Sequence, residues 1–336
     1  MSQAGIHGLQ WHWYRITPLH LLLLPFSLLF HLIVATRRLL FRCGILSSVK
    51  LPVPVIIVGN ITVGGTGKTP LTLWLAEQLI ADGWHPGIIS RGFGGSGNNP
   101  KHVLESSDPA AAGDEPVLMA QRLLCPVWVG RDRPAAAQAL LLANPECDVI
   151  LSDDGLQHYR LQRDVEIAVV DGLRRFGNGF LLPAGPLREA TSRLRGVDAV
   201  VINGGDGVPG GSRATQGAFL MKLEGMHFFN LLNPEITATA DDFRGQCVHA
   251  IAGIGHRERF FMHLKKLGLT PQTHSFPDHH QYTAADLAYN DANALLMTEK
   301  DAVKCIAFAD ERCWVLRVEA QVDSALSQLI LKKITP

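Results

Sequence analysis

Short, continuous apolar runs alternate with helical patterns between residues 53 and 203. The runs are Val53–Val58, Gly87–Ile89, Pro126–Val129, Val149–Leu151, Val165–Val170 and Ala199–Ile202. Uninterrupted apolar runs of this length are typical of parallel strands that are buried on both faces, and the helices between them supply the crossover connections. The pattern therefore predicts an α/β fold, with a doubly wound and mostly parallel sheet of the kind found in P-loop NTPases.

After this domain the pattern changes to a glycine-rich break that begins at Gly204. Two extended stretches follow, near Gly217–Leu223 and Met226–Leu232, and they predict a β-hairpin linker. A second, smaller α/β unit is predicted from a strand at Val248–Ala252 and a helix at Arg257–Leu267. The predicted divisions are residues 1–48, 49–205, 206–235 and 236–336, which are an N-terminal region, the first α/β domain, the linker and a C-terminal α/β domain.

The N-terminal region contains an almost unbroken apolar run of 17 residues, Leu19–Ala35, followed by Arg37, Arg38 and Arg42. This length is at the short limit for crossing a bilayer, so the run predicts a membrane anchor that either spans the bilayer or dips into one leaflet. A buried core helix is the alternative. Because positive residues favour the cytoplasmic side, the arginines predict that the rest of the chain is cytoplasmic.

The charge and cysteine composition argues against some binding partners and some kinds of site. Lys plus Arg and Asp plus Glu number 31 each, so no overall positive charge points to nucleic acid. The six cysteines lie far apart and form no Cys-x-x-Cys pair. This spacing favours reduced thiols over a disulfide framework or a zinc site.

A glycine-rich turn that ends in Gly-Lys-Thr follows the first apolar run. Its residues are Gly64, Gly65, Thr66, Gly67, Lys68 and Thr69. Such a turn can point backbone N–H groups at phosphate oxygens, while the lysine neutralises the β- and γ-phosphates and the threonine hydroxyl binds Mg²⁺. The common spacing would place glycine at Thr62, and the extra lysine of ParA/MinD-type ATPases would fall at Val63. The motif alone leaves both a kinase and a regulatory ATPase of that type open.

Two carboxylates follow a predicted strand at a position where they could bind the magnesium ion of this nucleotide site. Asp153 and Asp154 end a buried strand, which is how such enzymes hold Mg²⁺ or its water shell opposite the P-loop threonine. A helix cap or a turn before Gly155 is the alternative.

Three further positions are candidates for chemistry. Asp114 and Glu115 precede a proline where a helix begins, which is equally the pattern of an ordinary helix cap. Arg188 and Glu189 follow a rigid Pro/Gly turn. His279 follows an aspartate in a polar turn of the second domain, where a histidine beside a carboxylate can orient or tune a general base.

Several motifs, taken in order, give the chain a family resemblance. They are Gly-Asn-Ile-Thr-Val-Gly-Gly-Thr-Gly-Lys-Thr, Ser-Arg-Gly-Phe-Gly, Gly-Asp-Glu-Pro, Ser-Asp-Asp-Gly-Leu-Gln-His, Gly-Pro-Leu-Arg-Glu, Phe-Pro-Asp-His-His and Thr-Glu-Lys-Asp-Ala-Val-Lys. From the apolar anchor to about Lys304, the chain resembles the tetraacyldisaccharide 4'-kinases of lipid A biosynthesis. It departs from the family at Phe93, where tyrosine is expected.

The resemblance implies an ATP-dependent lipid kinase, a phosphotransferase with an alcohol acceptor that uses Mg²⁺. It would move the γ-phosphate of ATP to the 4'-hydroxyl of tetraacyldisaccharide 1-phosphate and yield lipid IVA, an intermediate of lipopolysaccharide synthesis. The implied location is the bacterial inner membrane, with the catalytic body on the cytoplasmic face. We expect a monomer that binds lipid and membrane but no nucleic acid. The alternative stays a membrane-associated ParA/MinD-type regulatory ATPase.

The same resemblance assigns roles to residues. Asp114 becomes the general base, His279 its positioning partner and Lys68 the cation on the β- and γ-phosphates. The nucleotide would contact Gly64, Gly65, Thr66, Gly67, Lys68, Thr69, Asp154 and Arg188. The magnesium would be served by Thr69, Glu115, Asp153 and Glu189.

Overall fold

The structure is a computed structural model that describes residues 12–92, 99–205 and 217–335. Within these ranges the chain forms a nine-stranded sheet, a six-stranded sheet and a long N-terminal helix. Phe93, the position that departs from the family pattern, lies outside the described residues, as do residues 206–216 of the predicted linker.

The larger sheet contains every strand that the apolar runs predicted. Its strands are β1 (Val55–Gly59), β2 (Pro86–Ser90), β3 (Lys101–Val103), β4 (Val127–Val129), β5 (Val149–Asp153), β6 (Val165–Asp171), β7 (Ala199–Asn203), β8 (Phe219–Glu224) and β15 (Glu319–Val322). Their order is β15-β8-β7-β6-β1-β5-β2-β4-β3. Seven central strands run parallel, and β15 and β3 are antiparallel edges. The mostly parallel sheet is therefore confirmed.

Helices cover both faces of this sheet, as a doubly wound fold requires. The helices of this part are α1 (Leu19–Arg42), α2 (Lys68–Ala81), α3 (Pro109–Ala112), α4 (Asp114–Arg122) and α5 (Arg133–Ala143). On one face, α2 buries Leu71, Leu75 and Leu79, which are spaced one helical turn apart. On the other face, α5 buries Ala137 and Leu140. Each face thus has its own core.

The smaller sheet contains the remaining strands of the described residues. They are β9 (His227–Asn230), β10 (Thr237–Thr239), β11 (Val248–Ala252), β12 (Gln272–Ser275), β13 (Ala294–Thr298) and β14 (Cys313–Leu316), in the order β10-β9-β14-β13-β11-β12. Its helices are α6 (Arg257–Lys266) and α7 (Glu299–Cys305). Short 3-10 helices lie at Thr191–Gly196, Ala240–Phe243, Ala284–Leu287 and Ile306–Phe308. The predicted second α/β unit is therefore present.

The connection between the sheets differs from the predicted hairpin. The two extended stretches are strands, but β8 pairs with β7 and β15, whereas β9 pairs with β10 and β14. The chain also returns to the larger sheet after β14, because β15 pairs with β8 and the last helix, α8 (Ala325–Ile334), buries Leu326 and Ile330 in the first core. Two crossings connect the sheets, and residues 319–334 belong to the larger one.

Helix α1 is docked against the body along one side and exposed on the other. Its 24 residues give a length of about 36 Å. Ser27 Oγ donates a 2.8 Å hydrogen bond to the Leu181 carbonyl, and the His20 ring lies 2.6 Å from Asn178 Nδ2. Among the described residues, this helix is long and apolar enough to cross a membrane. The contacts fix the helix to the turn before Arg188 and leave its leucines outside.

Candidate active site

The turn between β1 and α2 is shaped for phosphate. Gly67 has a φ of +93°, and a Cβ there would lie 2.2 Å from Asn203 Nδ2, so only glycine fits. Asn203 Nδ2 also donates a 2.9 Å hydrogen bond to the Thr66 carbonyl, which holds the turn in place. Asn203 was not among the site residues predicted from the sequence. The available signal was a polar residue at the end of the buried strand β7.

A cleft of about 250 Å³ opens between the two sheets, with this turn on one side. The first domain contributes Gly65, Thr66, Gly67, Lys68, Thr69 and Glu115. The second domain contributes Gly255, His256, Arg259, Phe260, Thr298 and Lys300. Because the start of α2 also lies here, the helix dipole and the free N–H groups favour a bound anion. The geometry of the cleft therefore suits a nucleotide whose phosphates would lie at the start of α2.

Two cations meet at Asp154. Lys68 Nζ lies 3.6 Å from one oxygen of this carboxylate, and Arg188 Nη1 lies 3.2 Å from each oxygen. Burial alone would raise the pKa of Asp154, but the charges of Lys68 and Arg188 outweigh it and lower the pKa to about 2. The carboxylate is therefore ionised at neutral pH. It holds Arg188 close to Lys68, which lines the cleft.

Asp153 has a different environment. It is buried, and neither carboxylate oxygen has a hydrogen-bond partner among the described residues. Burial and the nearby charge of Glu115 raise its pKa to about 7. Arg133 Nη2 donates a 2.9 Å hydrogen bond to the Asp153 carbonyl and so fixes the end of β5. Thr69 and Glu115 line the cleft, and the unsatisfied carboxylate of Asp153 lies near Glu115. Together they offer the hard oxygen ligands that Mg²⁺ prefers.

Asp114 and His279 meet across the cleft. Asp114 is the first residue of α4 and is buried, and its Oδ2 lies 3.1 Å from His279 Nδ1. Burial would raise the pKa of Asp114, but the hydrogen bond with His279 and the charges of Lys300 and Lys304 lower it to about 2. The same hydrogen bond raises the pKa of His279. The structure thus brings the two predicted residues together as a carboxylate–imidazole pair.

Lys300 joins the two domains beside this pair. Its Nζ lies 3.1 Å from Glu115 Oε1, 3.8 Å from Asp114 Oδ2 and 3.6 Å from Asp278 Oδ1. Burial would lower the pKa of Lys300, but these carboxylates raise it, so the side chain stays charged. Lys300 was not among the catalytic, nucleotide-binding or metal-binding residues predicted from the sequence. The available signal was its Thr-Glu-Lys-Asp run after a buried strand.

Glu189 does not join the other acids as a free ligand. It is buried, and its oxygens accept hydrogen bonds of 2.8 Å from Gln157 Nε2 and 2.7 Å from Tyr159 Oη. Arg193 Nε lies 3.5 Å away. These neighbours orient both oxygens and offset the charge, so Glu189 helps to fix the Arg188 turn. Its predicted role as a magnesium ligand stays a prediction.

Comparisons with known proteins agree on one family. A family model described as tetraacyldisaccharide-1-P 4'-kinase matches residues 19–335. The tetraacyldisaccharide 4'-kinase of Methylobacillus flagellatus is 51% identical over 335 residues, which cover 100% of this chain and 98% of the relative. That of Azoarcus sp. is 53% identical over 324 residues, which cover 96% of this chain and 94% of the relative.

A solved structure shares the fold over nearly the whole chain. It is the "apo" form of LpxK from Aquifex aeolicus in complex with ATP, at a TM-score of 0.81 and 32% identity. The match covers 94% of this chain and 100% of that chain. The two-sheet architecture described above is therefore that of an ATP-binding protein of known structure.

Proposed function

This chain belongs to the tetraacyldisaccharide-1-P 4'-kinase family, and from that premise we propose that Asp114 is the general base of its phosphoryl transfer. The enzyme is an ATP-dependent lipid kinase that phosphorylates the 4'-hydroxyl of tetraacyldisaccharide 1-phosphate and yields lipid IVA. The ParA/MinD-type alternative finds no support in the comparisons. The observation that carries the proposal is the 3.1 Å contact between Asp114 and His279, which joins the two domains next to Glu115 in the wall of the cleft.

In the reaction, the 4'-oxygen of the lipid forms a bond to the γ-phosphorus as the bond to the β–γ bridging oxygen breaks, and ADP leaves. The hydroxyl proton passes to Asp114. Phosphoryl transfer has a loose transition state, so the hydroxyl becomes acidic only as the new bond forms. A carboxylate with a pKa of about 2 in the free enzyme can therefore serve, because position matters more than basicity. His279 holds Asp114 at the correct angle.

The cations stabilise the charge that shifts during the transfer. Lys68, at the first position of α2, neutralises the β- and γ-phosphates, and Arg188 lies beside it through their shared partner Asp154. Thr69, Glu115 and Asp153 would hold Mg²⁺, which would neutralise phosphate charge when bound. Lys300 ties Glu115 to the second domain, so closure of the cleft would order the site and exclude water.

The direct test is transfer of labelled γ-phosphate from ATP to purified tetraacyldisaccharide 1-phosphate in detergent micelles. The expected result is label in the lipid that depends on both substrates and on Mg²⁺. Release of labelled inorganic phosphate without labelled lipid would contradict the proposal. A lipid that already carries the 4'-phosphate is the matched control and should accept no label.

The pKa of Asp153 predicts that magnesium affinity depends on pH. With a pKa of about 7, this carboxylate is mostly protonated at about pH 6 and mostly ionised at about pH 8. Because a proton competes with the ion, we expect Mg²⁺ to bind about tenfold more tightly at the higher pH. Calorimetric titration of the metal-free enzyme measures this. The Asp153→Asn variant should bind Mg²⁺ weakly at both pH values. If its Mg²⁺ affinity depended on pH as that of wild type does, Asp153 would not be a ligand.

We further propose that the enzyme is held on the cytoplasmic face of the bacterial inner membrane by α1. The helix exposes Leu21, Leu28 and Leu32, while Arg38 and Arg42 near its end would favour an anionic leaflet. A lipid substrate stays in the membrane, so an anchored enzyme searches for it in two dimensions. Both halves of the active site come from one chain, which supports a monomer.

Replacing the exposed leucines of α1 tests membrane binding while the contacts between α1 and the body stay intact. In Leu21→Gln/Leu28→Gln/Leu32→Gln, the inward residues His20 and Ser27 are unchanged. Each leucine contributes at least about 1.5 kcal/mol on burial in lipid, so binding to anionic vesicles should fall at least about 1,000-fold. Flotation with vesicles measures it. The control replaces three exposed leucines of the body, namely Leu104, Leu124 and Leu142. Equal binding by both triple variants would contradict the anchor.

A further inference from the structure

A cysteine, a histidine and an aspartate meet at one edge of the smaller sheet. Cys247 directly precedes β11, His249 lies within β11, and Asp291 lies in the turn before β13. His249 Nε2 is 3.3 Å from Asp291 Oδ1 and 3.7 Å from Cys247 Sγ. Cys247 Sγ is 3.7 Å from Asp291 Oδ2. Each residue can offer one ligand atom, and these three atoms lie within 4.8 Å of one another.

We propose that Cys247, His249 and Asp291 bind a divalent transition metal of the zinc class, with one coordination position open to solvent. In a tetrahedral zinc site, metal–ligand lengths of about 2.3 Å for sulfur and about 2.0 Å for nitrogen and oxygen place the nitrogen and oxygen about 3.3 Å apart. The sulfur then lies about 3.5 Å from each of them. The separations in the structure are 3.3 Å and 3.7 Å, with one oxygen of Asp291 facing His249 and the other facing Cys247, so a small turn of this carboxylate would admit a metal.

The histidine is already oriented for such a site. The His249 side chain is 3% exposed, and its Nδ1 lies 3.0 Å from His274 Nε2. Tyr289 packs on both rings, with centroids 4.7 Å from His249 and 4.1 Å from His274. With Nδ1 donating, Nε2 of His249 keeps its lone pair for a metal.

The ligand types separate this site from the magnesium residues. Thiolate and imidazole favour zinc-class ions, whereas Mg²⁺ prefers oxygen ligands only. The position differs too. The cluster lies at the amino ends of β11 and β13, whereas Thr298 and Lys300, which follow the carboxyl end of β13, line the cleft. A five-residue strand is about 16 Å long, so the metal would stabilise the second domain without entering the reaction.

Spacing along the chain did not reveal this cluster, because its members come together only through strand pairing. The prediction that the chain has no zinc site rested on the absence of Cys-x-x-Cys pairs. Here a single cysteine just before β11 is joined by His249 within that strand and by Asp291 from the turn before the neighbouring strand.

The test uses the full-length enzyme, incubated with Zn²⁺ in the presence of excess Mg²⁺, desalted and analysed for metal by mass spectrometry. Wild type should retain about one Zn²⁺ per chain, and Zn²⁺ should raise its melting temperature. Cys247→Ser and Asp291→Asn should each bind Zn²⁺ at least tenfold more weakly. Both keep size and polarity, and their kinase activity reports that they are folded. Cys43→Ser, which changes an exposed cysteine in the anchor region, is the matched control and should behave as wild type.

Co²⁺ gives a second readout, because a thiolate ligand produces a charge-transfer absorption band. The band should be present in wild type and Cys43→Ser and absent in Cys247→Ser. Two results would overturn the proposal. Retention of no Zn²⁺ by wild type would leave a hydrogen-bonded cluster only, and equal Zn²⁺ affinity in wild type and both cluster variants would place the ion elsewhere.

Discussion

Replacing Asp114 with asparagine is expected to lower kcat by about 100- to 10,000-fold while ATP binding changes little. The amide keeps the size of the side chain but accepts no proton from the 4'-hydroxyl. Asp114 lies at the start of α4, outside the phosphate turn, and its carboxylate is held by His279, so nucleotide affinity should depend on it little. Labelled phosphate transfer gives kcat, and calorimetry gives the ATP dissociation constant. Comparable loss of both would contradict the role of general base.

The matched control is Asp108→Asn, an exposed aspartate in the same segment. Asp108 Oδ1 accepts a 2.9 Å hydrogen bond from the Ala110 backbone as a helix cap. Because asparagine caps nearly as well, this variant should keep full activity. A large loss of turnover here would mean that the whole segment is sensitive to charge, rather than Asp114 alone.

His279→Gln separates positioning from simple structural support. In wild type, Asp114 is ionised above about pH 2, so its protonation limits activity only in strong acid. The hydrogen bond with His279 is the largest influence that lowers this pKa, so the pKa should rise in the variant. The acidic limb of the kcat/KM profile should therefore move to higher pH. A decrease of kcat/KM by the same factor at every pH would indicate that His279 has only a structural role.

Lys68→Met is expected to reduce kcat/KM for ATP by about 100- to 1,000-fold and to raise KM. Methionine fills the space of the alkyl stem but removes the cation from the phosphates. The fold should survive, because Arg188 still neutralises Asp154 at 3.2 Å. Initial rates across ATP concentrations measure the effect, and thermal unfolding checks the fold.

Lys50→Met serves as the control, since Lys50 is an exposed lysine just before β1 and contributes nothing to the cleft. It should match wild type in both kcat and KM. If Lys68→Met kept ATP affinity and turnover within about twofold of this control, the turn would not be the phosphate cradle.

Local patterns predicted the elements of this fold but not all of their partners. Continuous apolar runs such as Val149–Leu151 mark strands that are buried on both faces, and each was found in the larger sheet. The choice of neighbour for β8 and β9 depends on strands far along the chain, because β15 competes for the edge of β8. Strand pairing of this kind leaves no trace in either segment alone.

The same distinction holds for the site. The phosphate turn and the acids at strand ends follow from parallel-sheet geometry, which places the carboxyl ends of strands at one edge. Asp114 and His279, in contrast, are 165 residues apart, and only the resemblance to a family linked them. Lys300 and the hydrogen bonds that occupy Glu189 depend on contacts between distant segments. The Thr-Glu-Lys-Asp run marks Lys300 as a candidate but does not show which carboxylates it contacts.

The return of the chain to the larger sheet has a consequence for biosynthesis. Residues 225–318 lie between β8 and the strand β15 that pairs with it. At about 5–20 residues per second, the ribosome needs about 5–20 s to make that insertion, and during this time the edge of β8 has no partner. Helix α1 leaves the ribosome long before these residues are made. We therefore expect the nascent chain to reach the membrane while its catalytic sheet is still open, at the stage when chaperones would be needed most.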